Sequence, residues 1–105
     1  MNSIEITGIE ILTEKEKEVA DKLLKEYYLK IQRQLKKIIS LKLYIKEYKK
    51  EGKGKKYSIN IEVIAPAPKI FKANAHDWDF ARTLHKVLNK IINEIEHELH
   101  VSEQH

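Results

Sequence analysis

The fold of this chain is decided where one periodicity replaces another, in residues 27–46, YYLKIQRQLKKIISLKLYIK. Up to residue 35 the apolar side chains recur every three or four positions, which is the spacing of one face of an α-helix. From residue 39 to residue 45 every second side chain is apolar, which is the spacing of a strand with one buried face. A helix followed by such a strand predicts a domain in which helices pack on one face of a sheet.

Upstream of this switch, the sequence predicts a short strand and the start of the first helix. Residues 3–8, SIEITG, alternate and end at a glycine, which is typical of a strand. Thr13 stands three residues before Glu16, which is the spacing of a capping box. The apolar stripe that follows predicts a helix over about 14–37. Acids lie near its start and cations near its end, as the helix dipole favours.

Downstream, the alternating pattern continues through three strands. The first is predicted over 39–48, and the glycines and charges of KKEGKGKK, residues 49–56, predict the loop of a hairpin. Two more alternating segments, 57–64 and 70–75, flank the turn APAP at 65–68, whose prolines exclude an interior strand.

The last predicted element is a helix. Asp77 is a favourable N-cap for it, Asp79 is favourable in its first turn, and its apolar stripe occupies residues 81–99. The predicted fold class is therefore α+β, with the order β-α-β-β-β-α and a four-stranded sheet that carries two helices on one face. We expect a single domain over 1–105, with an ordered core of about 3–100.

Composition and motifs exclude several classes of protein. The chain has no Cys, so it has no disulfide, no thiol nucleophile and no thiolate metal site. Its amino-terminal residues include acids where a signal peptide is apolar, and no segment has the ~18 uncharged apolar residues of a membrane span. His97 and His100 lack a third metal ligand, and no nucleophile elbow, P-loop or dinucleotide motif occurs. We expect a cytoplasmic protein that is not an enzyme, with no cofactor, metal or membrane partner.

The net charge of +4 hides a strongly basic middle. Residues 1–28 sum to −3 and residues 57–105 to −2, whereas residues 29–56 hold 11 cations and 2 anions and sum to +9. Charge this concentrated is a candidate footprint for a polyanion. Since 18 of the 20 cations are Lys, contacts with phosphates are favoured over the reading of base edges, which is mainly done by Arg.

Candidate RNA-binding residues lie in this basic segment and on both predicted helices. Tyr44 and Tyr48 share the outward strand face with Lys42 and Lys46, an arrangement that can stack bases, although Tyr is also a common strand residue. A solvated loop and a helix end matched to its dipole would explain many of these cations without a ligand. The candidate RNA-binding set is Lys22, Lys25, Lys30, Arg33, Lys36, Lys37, Lys42, Lys46, Lys49, Lys50, Lys53, Lys55, Lys56, Arg82, Lys86 and Lys90.

Three strings of the sequence, together with the order of elements, resemble a known family. They are IEITG at 4–8, ILTE at 11–14 and KANAHDWDFARTLHKVLNKI at 72–91. They are similar to the ribosome hibernation factors in their short form, which include the hibernation promoting factor and the ribosome-associated translation inhibitor. The resemblance covers residues 3–100. It implies binding to the small ribosomal subunit and its rRNA near the decoding region, where translation is inhibited in idle, stressed cells.

The resemblance also implies contacts through basic residues on both helices. On the second helix the family's three cations fall on Lys90, Asn93 and His97, so one of the three is a cation here. On the first helix the family's lysines fall beside Lys22 and Lys25.

Two other classes of function stay open at this point. The chain could be a protein-interaction module that dimerises through the uncovered face of its sheet, where Ile64 and Ile70 are expected to point outward. It could also bind a structured RNA outside the ribosome. The expected oligomeric state is a monomer or a weak homodimer.

Overall fold

The computed structural model describes residues 4–38, 40–52, 54–66 and 69–103. Ser3, Ile39, Lys53 and residues 67–68, which belong to predicted elements or candidate sites, lie outside the described residues. The elements are strand β1 (Ile4–Thr7), a 3-10 helix (Ile9–Ile11), helix α1 (Glu14–Leu35), strands β2 (Ser40–Lys50), β3 (Gly54–Ala65) and β4 (Lys69–Asp77), and helix α2 (Phe80–Glu103). The predicted α+β fold and its order are confirmed, with the short 3-10 helix as an addition.

The four strands form one mixed sheet in the order β1-β2-β3-β4. Strands β1 and β2 are parallel, as their connection through α1 requires, and the other two pairs are antiparallel. The odd-numbered residues of 41–45 in β2 and of 57–65 in β3 are buried together with the apolar stripes of both helices in one core. Both helices therefore cover the same face of the sheet. The opposite face, here called the open face, carries the even-numbered residues of β2, β3 and β4.

Helix α1 begins as predicted and ends earlier than predicted. The Thr13 hydroxyl accepts the Glu16 N–H at 3.1 Å, and Glu16 Oε1 accepts the Thr13 N–H at 2.9 Å, so the capping box is confirmed. The helix ends at Leu35 instead of residue 37, because Lys36 adopts a positive φ of 65°. Lys36 and Lys37 thus lie beyond the last helical turn.

The predicted cap of the second helix is wrong by two residues. Asp79 caps α2: its Oδ2 accepts the Arg82 N–H at 2.9 Å, and its carbonyl accepts the Thr83 N–H at 3.0 Å. Asp77 is instead the last residue of β4, where it pairs with Tyr57.

The segment predicted as a hairpin loop is mostly strand. Strands β2 and β3 stay in register through the pairs Tyr48–Lys56, Lys49–Lys55 and Lys50–Gly54. Strand β4 ends opposite Tyr57 and β1 ends opposite Tyr44, so these three pairs have no neighbouring strand on either side. They form a two-stranded extension of the sheet, here called the basic ribbon (residues 48–50 and 54–56), about 10 Å long.

Candidate nucleic-acid interface

The basic middle of the sequence is divided between two ends of the molecule. Helix α1 ends at Leu35, close to the start of β2 at Ser40, and β2 then runs for 11 residues to the tip of the hairpin. An 11-residue strand is about 33 Å long. The cations at the end of α1 and those of the basic ribbon are therefore separated by the length of the sheet, and the +9 segment does not form one footprint.

One basic end is the α1-end cluster. All four of its side chains are exposed, and none has a carboxylate within 4 Å in the part of the chain that the structure describes. The Lys30 ammonium lies 4.6 Å from the centre of the Tyr27 ring, which is a cation–π distance. The members of this cluster are Lys30, Arg33, Lys36 and Lys37.

The other basic end is the basic ribbon, which presents cations on both faces. Because side chains alternate along a strand, Lys49 and Lys55 lie on the helix side and Lys56 lies on the open face. Lys55 Nζ is 3.7 Å from Glu47 Oε2, whereas Lys49 and Lys56 have no carboxylate within 4 Å among the described residues. Lys50 ends β2 opposite Gly54.

The predicted cations of α2 are largely engaged within the fold. Lys86 Nζ donates to Asp77 Oδ2 at 2.5 Å, and Arg82 Nη1 lies 3.4 Å from Asp77 Oδ1. The pKa of Asp77 is lowered, mainly by the hydrogen bond from Lys86 and next by the Trp78 N–H. Lys90 Nζ donates to the carbonyl of Asn74 at 2.9 Å. Arg82, Lys86 and Lys90 lie along the edge of β4, and the negative charge of Asp77 offsets the charges of Arg82 and Lys86.

The remaining candidate cations lie outside both basic ends. Lys25 Nζ pairs with Asp21 at 3.0 Å on the exposed side of α1, where Lys22 is also exposed. Lys42 lies in the middle of the open face, where its register partners are Glu5 on β1 and Glu62 on β3. The centre of the open face is therefore a mixed row of charges, which does not favour a polyanion. Lys46, four residues nearer the ribbon than Lys42, is exposed.

Tyr44 and Tyr48, which the sequence places among lysines on the outward strand face, have different surroundings. Tyr44 is paired with Asn60, and the cavity beside it is also lined by Glu62. Tyr48, half-exposed at 50%, is paired with Lys56 at the ribbon. Ile64 and Ile70, expected on the outward face, pair with each other at the opposite end, and Ile70 is exposed.

The sequence reading missed Trp78. Its side chain is 46% exposed, and Lys56 Nζ lies 5.6 Å from the centre of its ring. Trp78 lies two positions after His76, which is on the open face. A predicted strand extended to residue 78 would therefore have placed Trp78 on the outward face as well. The incorrect cap at Asp77 hid this signal, because it assigned Trp78 to the helix.

The base of the basic ribbon is anchored to α1. The Tyr57 hydroxyl donates to Glu16 Oε2 at 3.1 Å, and the other oxygen of the same carboxylate completes the capping box. Burial raises the pKa of Tyr57 to about 12, with a further contribution from the nearby Glu16 charge. The ribbon thus extends from a base held by both the core and the helix cap.

Neither a metal site nor a membrane-spanning helix is found in the described parts of the chain. No three His, Asp or Glu side chains come close enough there to hold a metal ion. None of the described helices is long and apolar enough to cross a membrane.

Comparisons with known proteins assign no family to the chain. Neither a protein-family model nor a curated protein matches it.

Proposed function

We propose that this chain is a small RNA-binding protein that docks on the small ribosomal subunit near the decoding region and inhibits translation in idle ribosomes. The observation that carries RNA binding is the basic ribbon, whose cations face both sides of a two-stranded extension of the sheet. Several lysines that each neutralise a phosphate release counterions, and this release supplies affinity that falls with salt.

The shape of the basic ribbon supports contact with an RNA backbone. It extends about 10 Å beyond the end of β4, so it can reach phosphates that the body of the domain does not touch. Gly52 and Gly54 take positive φ values of 73° and 86° at its tip, a backbone conformation that glycine adopts readily because it has no Cβ. Lysines at such a tip favour backbone contacts over base-specific ones.

The ribosomal part of the proposal is supported by the resemblance of the three strings to hibernation factors. The order of elements that this resemblance implies is also the order of the fold. The chain differs from the implied pattern on α2, where Arg82 and Lys86 are paired with Asp77. We therefore assign the main electrostatic contact to the basic ribbon and a lesser one to the helices.

The test is co-sedimentation with purified small subunits over a series of salt concentrations. The triple variant Lys49→Gln, Lys55→Gln, Lys56→Gln removes three cations of the basic ribbon. If each contacts a phosphate, the slope of log affinity against log salt becomes shallower by about 2 to 3. The matched control Lys15→Gln, Lys17→Gln, Lys69→Gln removes the same charge elsewhere and should leave the slope nearly unchanged.

Two outcomes would contradict the proposal. Equal flattening by both triple variants would mean that net charge, not the basic ribbon, carries the binding. Equal affinity for the small subunit and for an unrelated structured RNA, at the same salt, would favour a partner outside the ribosome. In an in vitro translation assay, the wild-type protein should inhibit protein synthesis, and the triple variant of the basic ribbon should inhibit it less.

A further inference from the structure

The open face ends, at the base of the basic ribbon, in a group of aromatic and polar side chains. Tyr48 and Lys56 are directly paired there, and Trp78 lies beside Lys56. The next row towards the centre of the sheet pairs Ser58 with Lys46 on one side and with His76 on the other. Two exposed rings and two cations thus share one end of one face.

A shallow cavity of about 280 Å³ occupies this end of the open face. It is lined by Tyr48, Lys56, Ser58 and His76, and none of these side chains is acidic. Ring faces supply stacking surface for a base, while the hydroxyl and the imidazole supply groups that can hydrogen-bond a base edge or a 2′-hydroxyl. The lysines supply the charge that a phosphate requires.

The neighbouring cavity on the same face has no excess of positive charge. It lies beside Tyr44, and its polar lining is Asn60, Asn74, Glu62 and Lys72. The charge of Lys72 is offset by Glu62, whose Oε2 lies 3.8 Å from Lys72 Nζ. A phosphate placed there would meet an anion. Charge complementarity therefore selects the ribbon end of the open face over its centre.

We infer that this end of the open face binds one unpaired nucleotide of an RNA chain, with the base against Tyr48 and Trp78 and the phosphate at Lys56 and Lys46. The inference rests on the RNA-binding part of the proposed function and names the ligand of that surface. Non-specific single-strand binders combine cationic grooves with stacking aromatic rings in the same way. The site selects unpaired RNA because a base inside a duplex has no free face to stack.

Trp78 is the only tryptophan of the chain, so its fluorescence reports on the site directly. Titration with single-stranded hexaadenylate should quench this fluorescence to saturation. Inorganic polyphosphate, which carries charge but no bases, should bind without comparable quenching. The variant Tyr48→Leu should weaken hexaadenylate binding about 5-fold or more, the lower range for losing one stacked ring. Tyr48→Phe keeps the ring and should stay within about twofold of wild type.

Tyr44→Leu is the matched control, because it removes the same residue type from the same face of the same strand. It should leave hexaadenylate affinity within about twofold. Trp78→Leu, followed by the anisotropy of a labelled hexaadenylate, should also lose about 5-fold or more. Circular dichroism of each variant checks that the fold is retained.

Four results would overturn the inference. The first three are the absence of quenching by hexaadenylate, equal quenching by polyphosphate, and equal loss of affinity from Tyr44→Leu and Tyr48→Leu. A fluorescence change that depends on protein concentration without RNA would also overturn it, in favour of a second copy of the chain on this face. Small-subunit co-sedimentation separates the two proposals. Quenching without co-sedimentation refutes the ribosomal function alone, and co-sedimentation without quenching refutes this nucleotide site alone.

Discussion

Gly8, in the first of the resembling strings, lies against the backbone of β2. Gly8 has a φ of +94°, a conformation that L side chains rarely adopt. A Cβ at this position would lie closer than 3.0 Å to the carbonyl oxygen of Ile45 on β2. Gly8→Ala therefore meets two separate penalties, one conformational and one steric, at the point where the chain leaves β1.

The size of the expected effect follows from these two penalties. A left-handed backbone costs a residue with a Cβ roughly 1–2 kcal/mol. The oxygen that the methyl would strike belongs to backbone within the sheet, so β1 must shift, which adds about 1–3 kcal/mol as in other overpacked sites. We predict that Gly8→Ala lowers the free energy of unfolding by about 3 kcal/mol and the melting temperature by roughly 15 °C.

The chain provides a control that isolates the steric part. Gly52 also has a positive φ, of +73°, but a Cβ there would meet nothing within 4 Å. Gly52→Ala should therefore cost only about 1 kcal/mol. Urea unfolding at pH 7, followed by circular dichroism, measures both variants. Equal destabilisation by the two substitutions would refute the close approach of Gly8 to β2.

Three further predictions concern side chains around the ribbon base and α2. Tyr57→Phe should cost about 1 kcal/mol in urea unfolding at pH 7, because the hydroxyl no longer donates to Glu16. Since the pKa of Tyr57 is raised from 10.0 to about 12, its contribution is complete below pH 10 and is lost between pH 10 and 12. A stability deficit of the variant that stayed constant over this range would contradict the assignment. Asp77→Asn should reduce the decrease in the free energy of unfolding at acid pH. A carboxylate whose pKa is lowered by Lys86 stabilises the fold above about pH 3.8, and this stabilisation is lost as the pH falls. Identical acid unfolding curves for the variant and the wild type would contradict this. Asp79→Ala should lower the free energy of unfolding by about 1 kcal/mol, because α2 loses its N-cap. An unchanged free energy of unfolding would contradict the assignment of Asp79 as the cap.

Local sequence patterns predicted the elements whose causes are local. The capping box at Thr13 and Glu16 involves residues three positions apart, and both hydrogen bonds form as predicted. The alternation from Leu41 to Ile45 predicted the buried face of β2, because the period of a strand requires no knowledge of its partners. The core of the fold could therefore be predicted from periodicity alone.

The incorrect predictions have causes that are distant in sequence. Asp77 and Asp79 are equally good caps locally, and the choice is made by pairing of Asp77 with Tyr57 and by its contact with Lys86. Residues 49–56 have the composition of a loop, yet continued pairing of β2 with β3 keeps most of them in strands. Local propensity is overridden by register in both places.

The candidate site was predicted less completely than the fold for a related reason. A run of cations is contiguous in sequence, but a strand about 33 Å long separates its two ends in space. The same register that extends the hairpin brings Trp78 next to Lys56, residues that are far apart in sequence. Charge counting identified the segment, and only the sheet pairing identifies which of its residues share a surface.

The central claim, that the basic ribbon contacts RNA of the small subunit, is tested most directly by site-specific crosslinking. Because the chain has no cysteine, Lys55→Cys and Lys36→Cys each create one attachment point for a photoactivated crosslinker, at opposite basic ends of the molecule. We predict that the label at position 55 crosslinks to the rRNA of purified small subunits, with a yield that falls as salt increases. Crosslinking from position 36 with none from position 55 would contradict the account.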